Sequence, residues 1–135
     1  MGQMRASFDI PATPAGPAGA RHAVAALLPI WGLASLIADA ELVVSELVTN
    51  AIQHAPGTDT VELELVAHAD WLHISLADGS VAEPTVAELD REALGGRGMR
   101  IVAALGQRWG AEVYRGGKRV WVDLVRPDGA IAPRR

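Results

Sequence analysis

The chain contains no cysteine. Disulfides, thiolate nucleophiles and cysteine-ligated zinc are therefore excluded, and a reducing compartment is compatible with the composition. A basic excess is also missing. The net charge of -4 and a pI near 5.5 argue against general affinity for phosphate backbones, because nucleic-acid binders present a basic patch or stripe. Nucleic acid is not an expected partner. The most apolar run, Ala23 to Ala38, carries no basic residue and falls short of the roughly 20 residues of a spanning helix. Pro29 and Gly32 interrupt it. No membrane span is expected. Met1-Gly2-Gln3-Met4-Arg5 leads into no uninterrupted apolar segment, so no secretory signal is read and the expected location is the cytoplasm. The four histidines, His22, His54, His68 and His73, form no helical pair with a third ligand, and no HExxH pattern occurs. A structural metal site is not expected.

What is present is an ordinary globular composition, half hydrophobic and 21% charged, with a mean hydropathy of +0.18. At 135 residues one domain over 1–126 is expected, burying roughly two-thirds of its unfolded surface, with 127–135 a frayed tail. The central stretch is 41–55. Ala40, Val44, Leu47, Val48, Ala51 and Ala55 fall near one helical face, while Glu46 and Asn50, four apart, lie one above the other at its border. Taken alone, such a pair more often belongs to a solvated helix face.

In chain order, 6–10 alternates as a short strand closed or confined to an edge by Pro11. A helix starts near Pro17 and runs to about Leu28, and Pro29 with Gly32 separates it from the next. Ser35 or Asp39 is expected to cap that second helix, which stops at Pro56-Gly57. Residues 60–67 alternate Val61, Leu63 and Leu65 with Glu62 and Glu64, and 71–77 continues the alternation after a tight turn, delivering Asp78-Gly79. The segment 81–94 is expected to be mobile. Gly95-Gly96-Arg97-Gly98 opens a helix over 99–105, and 108–114 with 118–125 reads as a closing hairpin across Arg115-Gly116-Gly117. Trp31, Trp71, Trp109 and Trp121 read as core or interface aromatics.

Two places carry possible ligand chemistry. The glycine loop at 95–98 fits neither a Walker loop nor a Rossmann fingerprint, but backbone N–H groups at a helix start can surround phosphate oxygens. Asp78, at a strand end before Gly79, presents an acceptor-only carboxylate that can take a hydrogen bond from the adenine amine and repel the guanine carbonyl. Each feature alone is more often a simple turn.

Their order resembles the GHKL ATP-binding superfamily, and more closely its short bacterial anti-sigma-factor serine/threonine kinases. The segment from Val44 to Ala51, with His54, resembles the N box; Asp78-Gly79-Ser80 the first glycine box; Gly96-Arg97-Gly98-Met99 the second; and Gly116 to Trp121 the closing hairpin. The resemblance implies a two-layer α/β sandwich, a mixed, mostly antiparallel sheet with helices on one face. It implies Asn50 as ligand to Mg²⁺, Asp78 as reader of adenine, and Gly79, Gly96, Arg97, Gly98 and Met99 around ATP. Arg119 stands where many members have threonine, so a side-chain hydroxyl contact is lost there and phosphate contact is expected to shift to Lys118 or Arg119. Glu46 is implied as the base that takes a proton from a serine hydroxyl. The implied partners are a STAS-type anti-anti-sigma protein and a sigma factor, with Arg21 in partner contact and a homodimer possible. Two other functions stay open: a non-catalytic ATP-dependent binding switch, which needs Asn50 and Asp78 but no base, and an α/β interaction domain that binds no nucleotide.

Overall fold

A computed structural model describes residues 3–54, 59–78 and 104–127. The chain opens with β1 (Met4–Pro11), two residues longer at its start than the alternation predicts, because every residue of it pairs with the next strand. Helix α1 (Gly16–Ile30) follows, with Pro17 in its first turn and Ala20, Val24 and Leu28 on its buried face. The last turn absorbs Pro29, and the helix ends one step later. Gly32 lies at φ +75°, its N–H bonds the Pro29 carbonyl at 3.2 Å, and the Leu33 N–H reaches back to Leu28 at 2.8 Å. This reverse turn satisfies the terminal carbonyls and buries Leu33 beneath the helix.

Neither Ser35 nor Asp39 is the cap expected for the second helix. A single 3₁₀ turn, Ala34–Leu36, feeds directly into α2 (Ile37–His54). Ser35 lies inside that turn, and Asp39 falls within the first helical turn, where its charge favours the positive end of the helix dipole. Buried Ala40, Val43, Val44, Leu47, Val48 and Ala51 form the inward stripe of α2. The Pro56-Gly57 stop lies outside the described residues.

The strands β2 (Thr60–Ala67), β3 (Trp71–Asp78), β4 (Arg108–Tyr114) and β5 (Gly117–Val125) complete a five-stranded sheet ordered β1-β2-β3-β5-β4. All described pairings are antiparallel, so any parallel part of the expected mixed sheet is not among them. A side-chain period of two gives the sheet two distinct faces. Leu63, Leu65, Leu72, Ile74, Leu76, Val120, Val122 and Leu124 point to the helices and join the inward residues of α1 and α2 in one core. This is the two-layer α/β sandwich, with both described helices on one face. Helix α1 packs on α2 and β1, and α2 lies over β3 and β5. Among the described residues, no helix is long and apolar enough to cross a membrane.

Candidate functional site

Helix α2 sets the first part of the site. Its stripe is deeply buried, whereas Glu46 and Asn50 at the border are half-buried, so their polar ends stay within reach of a ligand. Arg21, on α1, donates from Nη1 to the Ser45 hydroxyl at 2.9 Å. The contact ties α1 to α2 one residue before Glu46. A guanidinium has five N–H donors, so this bond leaves others for further contacts.

The second part lies on the strands beneath α2. Asp78 is the last residue of β3, and the β3–β5 register sets it directly across from Lys118. Both continue the inward face of their strands, behind Leu76 and Val120. Their side chains are buried, with Lys118 Nζ 3.9 Å from Asp78 Oδ2, an ion pair longer than a direct hydrogen bond. Burial pushes the Lys118 pKa below 10.5, and the Asp78 carboxylate partly offsets that fall. Lys118, which the resemblance implies as a phosphate contact, is thus the cross-strand partner of Asp78. The sequence holds one signal for it: Lys118 is the only lysine in the chain.

Gly79, Gly96, Arg97, Gly98 and Met99 lie outside the described residues, as does the expected mobile segment 81–94. Of the helix expected over 99–105, Ala104 and Leu105 are described and helical. The described residues of the expected nucleotide and catalytic set, Glu46, Asn50, Asp78 and Lys118, come from α2 and from the two strands that α2 packs on, while Arg21 lies on α1. Arg119 does not join them. One residue along β5, it points to the opposite face, where it pairs with Glu112 at 2.8 Å and stacks 4.1 Å above Tyr114.

That opposite face holds a second polar assembly that local patterning did not reveal. Asp123 is fully buried; His73 Nδ1 lies 2.5 Å from one of its oxygens, and Arg108 Nη2 lies 3.0 Å from the other. Trp71 stacks on His68 at 3.8 Å, and Trp121 stacks on His73 at 5.7 Å. These two tryptophans therefore lie away from the core, whereas Trp31 and Trp109 pack against it. A groove of about 450 Å³ on this face is lined by residues including Arg5, Glu64, His68, Trp71 and His73. It is separated from the Glu46 and Asn50 helix by the sheet itself.

The chain was compared with known proteins. The model of the histidine kinase-like ATPase domain matches residues 10–126. No match was found among curated proteins. Among solved structures, the RsbU and RsbW domains of Rv1364c from Mycobacterium tuberculosis align at a TM-score of 0.66 and 21% identity, over 90% of this chain and 32% of that one. The histidine kinase domain from the Erythrobacter litoralis EL346 blue-light activated histidine kinase aligns at a TM-score of 0.54 and 23% identity, over 87% and 62%. This chain thus spans less than two-thirds of either solved chain, and at these identities the likeness is one of fold. The family match, covering both α2 and the strands that carry Asp78 and Lys118, shows that the chain belongs to the histidine kinase-like ATPase domain family.

Proposed function

We propose that this chain is a Mg-ATP-dependent protein serine/threonine kinase of the anti-sigma type. It acts in the cytoplasm, phosphorylates a STAS-type anti-anti-sigma protein and regulates a sigma factor. The observation that carries the reading is the half-buried Glu46, one helical turn from Asn50, on the helix that packs on β3 and β5, the strands that carry Asp78 and Lys118. ATP binding alone calls for Asn50 and Asp78. Phosphoryl transfer to a hydroxyl also gains from a positioned carboxylate, and Glu46 supplies one. The RsbW domain of the solved relative and the anti-sigma resemblance of the sequence agree with this choice.

Among the described residues no group of three histidine, aspartate or glutamate side chains gathers that could hold a metal. The half-buried Asn50 carboxamide suits a hard cation that arrives with the nucleotide, and its carbonyl oxygen would serve as a ligand to Mg²⁺. When bound, the ion supplies charge neutralisation at the phosphates. In the transfer, Glu46 takes the proton of the serine hydroxyl. The serine oxygen bonds to the γ-phosphorus, and the bond from that phosphorus to the oxygen of ADP breaks. Asp78 accepts from the adenine amine. Gly79 and residues 96–99 contribute to the nucleotide site, the latter through backbone N–H groups at the phosphates. Arg21, adjoining the base through Ser45, contacts the protein partner.

Purified protein, Mg-ATP and a cognate STAS-type substrate give a direct test. The expected result is a phosphoserine or phosphothreonine product whose rate of formation falls at least about 100-fold in Glu46→Ala. ATP affinity is expected to stay within a few-fold. Absence of phosphoprotein despite tight nucleotide binding overturns the kinase assignment and leaves a binding switch.

A further inference from the structure

We infer that Lys118 is a specificity-determining residue that reads the nucleobase together with Asp78, by donating a hydrogen bond to the ring N1 of adenine while Asp78 accepts one from the exocyclic amine. The inference rests on the nucleotide-site reading above and assigns Lys118 to the base rather than to the phosphates. Three observations carry it. Strand register sets Lys118 opposite Asp78, so its position is fixed by the same ladder that fixes the acid. Both side chains are buried on the helix-covered face, at the end of β3 and the start of β5. Their 3.9 Å separation is too long for a direct hydrogen bond, and wide enough for both to engage one edge of a third group.

The chemistry of the pair then selects the base. An ionised carboxylate only accepts, with about four lone-pair sites, and an ammonium only donates, with three N–H bonds. Adenine presents a donor amine beside an acceptor ring nitrogen, the complementary order. Guanine in the same pose sets a carbonyl against the carboxylate and a ring N–H against the ammonium. Two buried polar groups would then face like groups, a mismatch that sites built on hydrogen bonds reject strongly. Burial also gives the ammonium something to gain. Its pKa is lowered by desolvation and raised by Asp78, so another acceptor brought to it further favours the charged form.

The test uses the intact chain grown with isotope-labelled lysine, which yields one lysine side-chain signal because the chain has one lysine. Three Mg-nucleotides are titrated: ATP, 1-deaza-ATP, whose ring N1 is a C–H, and purine riboside triphosphate, which lacks the amine. Both analogues are expected to bind at least about tenfold more weakly than ATP, the usual scale of a hydrogen bond to a charged group. ATP should move the lysine signal, and 1-deaza-ATP at saturation should move it much less. In Lys118→Met the gap between ATP and 1-deaza-ATP should close to about twofold. A lysine that only braces Asp78 would weaken both nucleotides alike. Equal wild-type affinity for ATP and 1-deaza-ATP, with purine riboside triphosphate still weak, overturns the Lys118 role and leaves Asp78 as the reader. Failure of all three to bind, ATP included, overturns it together with the nucleotide site.

Discussion

Asp123 and Asp78 are buried acids on neighbouring strands of one sheet, facing opposite ways. Asp123, on the face away from the helices, is held by His73 at 2.5 Å and by Arg108 at 3.0 Å, the latter an ion pair without hydrogen-bond alignment at that oxygen. Asp78, on the face under α2, has Lys118 at 3.9 Å. Both strand pairings are antiparallel and both acids are shielded from water, so the contrast lies in the face each occupies and in the cross-strand group each meets. Removing a carboxylate from water costs several kcal/mol unless nearby groups compensate. At Asp123 an imidazole and a guanidinium approach the carboxylate closely from two directions, on the face away from the helices. At Asp78 the cross-strand ammonium stands at 3.9 Å, a donor beside an acceptor on the face toward α2, an order that an adenine edge complements. The comparison teaches that burial of an acid does not by itself mark a site; the face it occupies and the group it meets do.

The largest expected effect breaks the Asp123 side. Asp123→Ala strands Arg108, which cannot give up its proton, beside His73, and is expected to cost about 3 to 5 kcal/mol in denaturant unfolding. Nucleotide affinity per folded molecule should hold within about twofold, since the sheet separates the two faces. Asp78→Ala should reverse the pattern. Its stability cost is expected at about 1 to 3 kcal/mol, because Lys118 can shed its proton where Arg108 cannot, while ATP affinity falls more than tenfold. Equal stability costs, or a large loss of ATP affinity in folded Asp123→Ala, would erase the distinction.

A smaller effect sharpens the Asp78 side through pH. The unfolded chain keeps the lysine proton up to about pH 10.5, whereas the folded protein releases it earlier because burial lowers the Lys118 pKa. Between the two values the unfolded state binds more protons, so Lys118 makes unfolding free energy rise with pH. Its contribution is complete above 10.5 and is lost as pH falls through the folded value. The unfolding free energy of wild type minus that of Lys118→Met should therefore increase from neutral pH toward 10.5, by about 1.4 kcal/mol for each unit of lowering. A flat difference would mean that Lys118 is solvated, and the contrast with Asp123 would weaken.

The sequence made much of the scaffold readable. The alternation of Val61, Leu63 and Leu65 with glutamates gives β2 to the residue, and Arg108 to Tyr114 emerges as β4. The Glu46 and Asn50 border of α2 also follows from helical period. What stayed hidden depends on which strands become neighbours. Asp78 meets Lys118, and His73 meets Asp123, because β5 inserts between β3 and β4. No periodicity within either strand states that order. The 3₁₀ entry to α2 is not legible locally, because Ser35 and Asp39 both look like caps while Leu36 is buried in the tighter turn. Motif position leaves Lys118 and Arg119 as alternative phosphate contacts, yet a single step along a strand reverses the face and sets Arg119 beside Glu112 and Tyr114.

That last point makes the β4–β5 turn the finest test of the comparison. A three-residue connection is the natural reading of Arg115-Gly116-Gly117, but the connection has two residues, and Gly117 already pairs with Tyr114. Arg115 at φ 50° and Gly116 at φ 76° both occupy the left-handed region, as a tight hairpin of matching twist requires. An arginine there costs about 1 kcal/mol in backbone strain, partly offset by its guanidinium lying 4.9 Å from the Tyr114 ring. Arg115→Asn is expected to raise unfolding free energy by a few tenths to about 1 kcal/mol, since asparagine tolerates this conformation. ATP affinity should stay unchanged, because Lys118 is held under α2 by its eight-pair ladder with β3 as well as by the turn. A stability gain accompanied by loss of ATP affinity would instead show that strain at Arg115 helps hold Lys118 against Asp78, and that pair would then owe its spacing to the hairpin rather than to the sheet.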